Sequence, residues 1–149
     1  MMWTRDNVCL YDERERVDVE AVHALLQKTY WAKDRSLQTV KDTVKQCLCF
    51  SLYDRDDQIG FTRVITDRAT YAIILDVVIQ DRYRGHGLGE WMMECITNHP
   101  DIAPLKQVLW TSTADSLYQK LGFSVPANVK FMMKTVRPTT DTKQGIPAG

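Results

Sequence analysis

Tyr71-Ala-Ile-Ile-Leu-Asp-Val-Val-Ile-Gln80, followed after Asp81 by Arg82-Tyr-Arg-Gly-His-Gly-Leu-Gly89, is the stretch that decides the fold of this chain. Its first part is a run of β-branched and bulky apolar residues, which predicts a buried strand in the middle of a sheet. Behind the glycines, apolar residues recur at the spacing of one helical face: Leu88, Trp91, Met92, Cys95 and Ile96. Pro100 is expected to end this helix.

The turn between strand and helix has the features of an anion site. Alternating glycines let the backbone approach a ligand closely, and the first N–H groups of a helix face outward at the positive end of its dipole. Arg82 and Arg84 add positive charge, so phosphate is the expected ligand. A P-loop would need Gly-Lys-Ser/Thr, and a dinucleotide fingerprint would need glycine at position 90, where Glu90 stands; neither motif is present.

The pattern Gln/Arg-x-x-Gly-x-Gly/Ala occurs here in two registers, beginning at Arg82 and at Arg84. It resembles the pyrophosphate loop of the GNAT superfamily of acetyl-CoA-dependent N-acetyltransferases. Downstream, Ala114-Asp-Ser-Leu-Tyr-Gln-Lys-Leu-Gly-Phe123 is similar to the closing helix of that family. Two motifs in the right order are more specific than either alone, and the likeness covers roughly residues 5 to 135 in element order.

The resemblance implies an α+β (mixed α/β) fold of the GNAT type. We expect a central, mostly antiparallel twisted sheet of about six to seven strands, helices on both faces, and a splayed parallel strand pair that holds the cofactor. The domain is predicted to span residues 1–137, followed by a flexible tail over 138–149 that is rich in Pro, Thr and Gly.

The other elements are predicted from periodicity and caps. Asp18 and Ser36 are expected to cap helices over residues 19–29 and from residue 37 to before Cys47. Gly122 is expected to terminate the helix that begins at Ala114. The remaining predicted strands are Val8–Tyr11, Cys47–Tyr53, Gln58–Thr66, Gln107–Thr111 and Phe131–Val136.

Acetyl-CoA is the implied cosubstrate, and the resemblance assigns its contacts. The diphosphate would be bound by the loop residues Arg84, Gly85, His86, Gly87, Leu88 and Gly89, with the backbone of His86 mattering more than its ring. The main chain of Val77, Val78 and Ile79 would bind the pantetheine arm, and the N–H nearest the thioester would stabilise the oxyanion. Many members carry Asn ahead of the closing helix, whereas this chain has Thr111.

Tyr118 matches the tyrosine that many GNAT members place beside the cofactor sulfur. There it could donate a proton to the departing thiolate as a general acid. The alternative is a packing tyrosine whose hydroxyl binds only the cofactor or the backbone.

Asp76 is the second candidate catalytic residue, because it interrupts the apolar strand. On a regular strand its side chain would share a face with Ile74 and Val78, where it could be a general base or bind a cationic amine. The competing hypothesis is a structural ion pair with Arg63, which would lie opposite Ile74 if Thr66 faces Tyr71. The sequence does not choose between these roles.

Trp31 and Arg35 lie in a segment, residues 30–36, where aromatic and charged residues mix. By resemblance to GNAT proteins, this connection between the first two helices would form part of the acceptor pocket, so both residues are candidates for substrate binding. The alternative is that Trp31 fills the core and that Arg35 is solvated.

Composition narrows the partners. The 149 residues carry 19 basic and 19 acidic side chains, so bulk electrostatics favours neither nucleic acid nor a membrane surface. Without an apolar span or a signal-peptide core, we expect a cytoplasmic protein. Four cysteines and three histidines without ligand spacing predict no metal site. A homodimer is possible, since GNAT proteins often dimerise.

The sequence therefore predicts an N-acetyltransferase that moves an acetyl group from acetyl-CoA to a primary amine by direct attack in a ternary complex. The acceptor would be a small molecule or a peptide, and Asp76 suggests a cationic amine. Two alternatives remain: a non-catalytic CoA-binding sensor or interaction module with the same fold, and an enzyme for a longer acyl donor.

Overall fold

Six strands form one sheet in the computed structural model, which describes residues 1–135. The strands are β1 (Met2–Arg5), β2 (Val8–Tyr11), β3 (Leu48–Asp54), β4 (Asp57–Thr66), β5 (Tyr71–Ile79) and β6 (Lys106–Val108). They lie side by side in sequence order, and all neighbours are antiparallel except β5 and β6, which are parallel. The predicted α+β class and the predicted parallel pair are confirmed.

Four α-helices accompany the sheet: α1 (Val19–Gln27), α2 (Leu37–Gln46), α3 (Leu88–Thr97) and α4 (Asp115–Lys120). The predicted caps are confirmed, since the side chain of Asp18 accepts from the N–H of Ala21 and that of Ser36 accepts from the N–H of Thr39. Helix α3 ends three residues before Pro100. None of the helices in residues 1–135 is long and apolar enough to cross a membrane.

The two faces of the sheet carry separate apolar cores. Helices α3 and α4 cover one face, where Met92, Met93 and Ile96 are fully buried against strand residues such as Phe50 and Ile74. Helices α1 and α2 cover the other face through Val22, Leu26 and Val40, against Phe61 and Val78. Each fully buried side chain of this size contributes roughly 1.5 to 3 kcal/mol, so the apolar stripes of the helices are sufficient to fix their positions.

Three strand predictions require correction. The chain begins one strand earlier than expected, because Asp6 and Asn7 form a two-residue turn that pairs Arg5 with Val8. Strand β6 covers residues 106–108 instead of 107–111. No strand forms over residues 131–135, where Phe131, Met132 and Met133 are exposed. Val136 and the predicted tail, 138–149, lie outside the described residues.

The predicted register of β4 against β5 is also wrong by one residue. Thr66 pairs with Ala72, and Arg63 pairs with Leu75 instead of Ile74. Between the pairs Arg63–Leu75 and Phe61–Val78, one residue of β4 faces two residues of β5, which is a β-bulge. Asp76, one of those two residues, has a φ of 55°, in the left-handed region.

Candidate functional site

The bulge in β5 lies where the sheet opens. Strand β5 pairs with β6 only from Tyr71 to Ile73 and then continues to Ile79, so beyond Ile73 its outer edge has no partner strand in the described part of the chain. Val77 and Ile79 are half-buried there and pack against the α3–α4 core. An open strand edge offers backbone N–H and C=O groups to an extended ligand. These are the positions that the sequence assigned to the pantetheine arm.

The bulge reverses which face each side chain occupies. Ile74 packs in the α3–α4 core, whereas Val78 packs in the α1–α2 core. The prediction that Asp76 shares a face with both residues is therefore wrong, because the extra residue breaks the two-residue alternation of the strand. The Asp76 side chain points to the α1–α2 side, toward Trp31 and Arg35.

Asp76 is buried, with 1% of its surface exposed, and binds three donors. Arg35 Nη1 and Arg63 Nε both donate to Oδ2, at 2.6 and 2.5 Å, and Trp31 Nε1 donates to Oδ1 at 3.2 Å. The Arg63–Asp76 pair expected from the sequence is present despite the shifted register. Three donors already occupy its oxygens and leave little room for a substrate amine, so the geometry favours the structural role for Asp76.

The loop between α1 and α2 brings Trp31 and Arg35 to this carboxylate. His23 Nε2 donates to the carbonyl oxygen of Arg35 at 3.0 Å, which anchors the loop to α1. Tyr30 packs edge-on against Trp31, and its hydroxyl lies 2.7 Å from Ser112 Oγ, beyond the end of β6. The loop therefore crosses the gap between β5 and β6. Tyr30 and Ser112 were not singled out from the sequence, and an exposed Tyr and Ser gave no signal that they meet.

The glycine turn has the backbone that an anion site needs. Gly85 and Gly87 have φ of 83° and 76°, and Gly87 is the N-cap of α3. A residue with a Cβ is strained at such angles, which explains why glycine stands there. Gly89 is different: it has helical geometry, and an added Cβ would lie 3.6 Å from Ile79 Cδ1.

The N–H groups at the start of α3 are available. Within residues 1–135, no hydrogen bond uses the backbone N–H of Gly87, Leu88, Gly89 or Glu90, and the first helical bond to the cap is from Trp91 N–H to Gly87 O. Four unpaired donors at the positive end of a ten-residue helix fit a diphosphate. The residues present therefore suit the cofactor that the sequence implied.

Three arginines surround this turn. Arg84 is exposed and lies 3.4 Å from Asp81, and Arg82 stacks on the ring of Tyr83. Arg5, from β1, donates through Nη1 to the carbonyl oxygen of Gly87 at 3.3 Å. Sequence reasoning missed Arg5, because it lies 82 residues away and only the sheet brings its side chain to the turn.

Tyr118 is buried in the α3–α4 core, in edge-to-face contact with Phe123. Burial raises the pKa of its hydroxyl to about 12, so this group stays protonated at neutral pH. Thr111 Oγ1 accepts from the N–H of Ala114 at 3.0 Å, which fixes the turn that leads into the helix carrying Tyr118. Lys120 of α4 lies 3.9 Å from Glu90 of α3, which places the two helices side by side at the glycine turn.

One open cavity of about 580 Å³ lies elsewhere, between the C-terminal half of α3, β6 and the end of α4. Glu94, Gln107 and Phe123 are among its lining residues, and neither the glycine turn nor Asp76 contributes to it. Among the described residues, no group of three His, Cys, Asp or Glu side chains could hold a metal ion.

Known proteins are similar to this chain in sequence and in fold. Residues 45–125 match the family described as "Acetyltransferase (GNAT) domain". "Putative acetyltransferase FG08082" of Gibberella zeae is 26% identical over 63% of this chain, and the match spans less than two thirds, 64%, of that protein. "Uncharacterized N-acetyltransferase ycf52" of Porphyra purpurea is 30% identical over 79% of this chain and 72% of that protein.

Solved structures agree. A GNAT-family protein from Xanthomonas campestris, described as a putative acetyltransferase, is 32% identical and superposes with a TM-score of 0.81 over 89% of this chain and 95% of its own. A GNAT-family acetyltransferase from Elizabethkingia anophelis, with acetyl-CoA bound, shares the fold at 16% identity, with a TM-score of 0.61 over 83% of this chain and 80% of its own. This chain belongs to the GNAT family of acetyltransferases.

Proposed function

We propose that the protein transfers an acetyl group from acetyl-CoA to a primary amine. The observation that carries the proposal is the row of unpaired N–H groups from Gly87 to Glu90, at the start of α3, beside the open edge of β5. The helix start would bind the diphosphate, and the strand edge would hold the extended arm that ends in the thioester. The fold neighbour from Elizabethkingia anophelis binds acetyl-CoA, which supports this cosubstrate.

Direct attack requires little covalent chemistry from the protein. The amine nitrogen forms a bond to the acetyl carbon, the carbon–sulfur bond breaks, and the electron pair leaves on sulfur. One proton leaves the nitrogen and one reaches the thiolate. The protein's contribution is to hold the two reactants together and to place N–H donors of the β5 edge at the carbonyl oxygen, where charge builds in the transition state.

Tyr118 would act at the leaving sulfur. A thiol has a pKa near 8.5, so a hydroxyl with a pKa of about 12 does not lose its proton permanently to a thiolate. It can donate a hydrogen bond to the developing negative charge, and the departing thiolate then takes up its proton from solvent. We propose this donor role, with Thr111 and Phe123 fixing the helix and the ring of Tyr118.

Asp76 would position residues without acting as a base. Its two arginine partners and its burial hold Trp31 and Arg35 beside the gap between β5 and β6. The attacking amine would lose its proton to solvent, because the carboxylate of Asp76 is already bound to Arg35 and Arg63.

Release of free CoA separates the proposal from a non-catalytic CoA-binding module. Acetyl-CoA is mixed with the purified protein and a panel of amines, and free thiol is measured alongside calorimetric binding of acetyl-CoA. Binding with amine-dependent release is expected. Binding without release from any amine would favour the sensor, and faster release from a longer thioester would replace acetyl by that acyl group. Absence of acetyl-CoA binding would refute the assignment of the diphosphate site to the start of α3.

A further inference from the structure

The arginine–aspartate cluster carries a net positive charge where the acceptor must enter. Asp76 supplies one negative charge, and Arg35 and Arg63 supply two positive charges. Within residues 1–135, neither arginine has a second carboxylate partner. Burial strengthens the electrostatic effect of the excess positive charge, because water screens buried charges less than exposed ones. A cationic acceptor such as a polyamine would meet repulsion here, since Asp76 is already held by both arginines.

Arg35 has donors to spare. A guanidinium carries five N–H groups. Within the described residues, the side chain of Arg35 donates only one hydrogen bond, from Nη1 to Asp76 Oδ2. The Nε–Nη2 edge, which is the fork that matches a carboxylate bidentately, takes no acceptor from these residues. Arg63 is less available, because its Nε is bound to Asp76 and its Nη1 contacts Cys47 Sγ.

Arg35 also lies at the correct place for an acceptor. Its partner Asp76 is on the bulge, past the point where β5 and β6 separate. Trp31 and Tyr30, from the same loop, continue from Asp76 to Ser112 on the far side of the gap. The side chain of Arg35 is 17% exposed, and its backbone is fixed through His23. A rigid, partly exposed guanidinium is suited to orienting a planar anion.

We propose that the acceptor carries a carboxylate near its amine and that Arg35 binds this carboxylate through its Nε–Nη2 edge. This inference rests on the proposed acetyl transfer and replaces the cationic acceptor expected from Asp76 alone. Binding of the carboxylate would neutralise the excess charge of the cluster and leave the amine directed to the thioester at the β5 edge. An amino acid or a peptide with a free carboxyl group has this chemistry.

The test compares acceptors that differ by one charge. Each of several common L-amino acids is compared with its own carboxamide, and spermidine is the cationic acceptor. The value of kcat/KM for each acceptor is obtained from the rate of CoA release. Carboxylates are expected to be preferred over amides, even though an amide's amine is the less basic and more often neutral. Arg35→Gln should lower kcat/KM for carboxylates between about tenfold and about a hundredfold, the value of a charge-assisted hydrogen bond. The same variant should lower the value for amides by a smaller factor than for carboxylates, because an amide offers Arg35 no charge.

Two further variants control for folding and for charge. Arg35→Lys keeps the charge but lacks the fork, so it should recover only part of the preference. Arg68→Gln, a surface arginine paired with Asp101, should leave the preference unchanged. Acetyl-CoA affinity shows that each variant is folded, and if Arg35→Gln does not fold, the preference of the unaltered protein decides.

Release of CoA from amides or spermidine in preference to carboxylates would overturn the inference and leave acetyl transfer standing. A carboxylate preference that survives in Arg35→Gln would overturn the role of Arg35. No release from any amine, with acetyl-CoA still bound, would instead count against the proposed function, and the inference would fall with it.

Discussion

Arg63 Nε donates a hydrogen bond of 2.5 Å to Asp76 Oδ2, although Arg63 lies directly opposite Leu75 in the β4–β5 ladder. The extra residue of β5 turns Asp76 to the α1–α2 face, where the guanidinium of the neighbouring strand reaches it. A charged pair is thereby built into the middle of the sheet. Removing this pair should lower the free energy of unfolding. Substitutions in the surrounding site should instead change acetyl-CoA binding or kcat.

Arg63→Leu should lower the free energy of unfolding by about 2 to 4 kcal/mol, because it leaves a buried carboxylate with one guanidinium partner fewer. Urea denaturation followed by circular dichroism measures the loss. The control is Arg68→Leu, which breaks an exposed ion pair with Asp101 and should cost less than about 1 kcal/mol. Equal costs in the two variants would show that Asp76 does not depend on Arg63.

Tyr118→Phe should lower kcat by about tenfold to a hundredfold and leave acetyl-CoA affinity within about threefold, because the hydroxyl acts only as charge develops on sulfur. Steady-state kinetics under chemistry-limited conditions, with calorimetry, measure the two effects. An unchanged kcat would remove Tyr118 from the mechanism.

The pH profile tests the same residue in a second way. Burial raises the pKa of Tyr118 to about 12, above the ordinary tyrosine value of 10.0, so the hydroxyl stays protonated as pH rises through 10. Ionisation of Tyr118 should therefore cause no loss of kcat between pH 8 and about 10.5. An alkaline loss in this range that disappears in Tyr118→Phe would contradict the assignment.

Gly87→Val should abolish measurable binding of acetyl-CoA, because a β-branched residue is strained at a φ of 76° and the start of α3 must then change its backbone. Gly122→Val is the matched control. Gly122 has a φ of 93° and lies after α4, so its substitution brings similar strain away from the turn. Calorimetry should find acetyl-CoA binding retained in that control, and retention in Gly87→Val would refute the assignment of the turn.

Arg5→Ala should weaken acetyl-CoA binding by about threefold to tenfold, since the variant loses a cation beside the diphosphate and the contact of Arg5 with Gly87 O. The dependence of affinity on salt should become shallower, because one positive charge no longer contributes. Arg5→Lys should retain most of the affinity. Identical affinity and salt dependence in Arg5→Ala would limit Arg5 to a structural contact.

The local elements could be predicted from the sequence, because each of them depends on residues close to it in the chain. Asp18 and Ser36 cap their helices through their own side chains, and Gly85 and Gly87 adopt angles that other residues avoid. The stripe of Met92, Cys95 and Ile96 faces a core as its spacing predicted. Short polar turns connect β3 to β4 and β4 to β5, and the resemblance to the GNAT family indicated the fold.

The bulge at Asp76 was decided by tertiary contacts. Nothing in Ile-Leu-Asp-Val-Val marks an extra residue, and a shift of one residue moves every following side chain to the other face of the sheet. The choice between a base, an anchor and a structural pair depended on where Trp31 and Arg35 come to lie. These residues are 45 and 41 positions from Asp76 in the chain.

By itself, then, the sequence determined the helices, the parallel strand pair, the glycine turn and the family, since caps, periodicity and left-handed glycines act over a few residues. Only the tertiary structure decided that Arg5 supports the turn, that Tyr30 reaches Ser112 and that Asp76 is held by two arginines. The sheet brings Arg5 to the start of α3, and the loop between α1 and α2 brings Tyr30 and Arg35 to their partners; no local pattern encodes a meeting between residues so far apart in the chain.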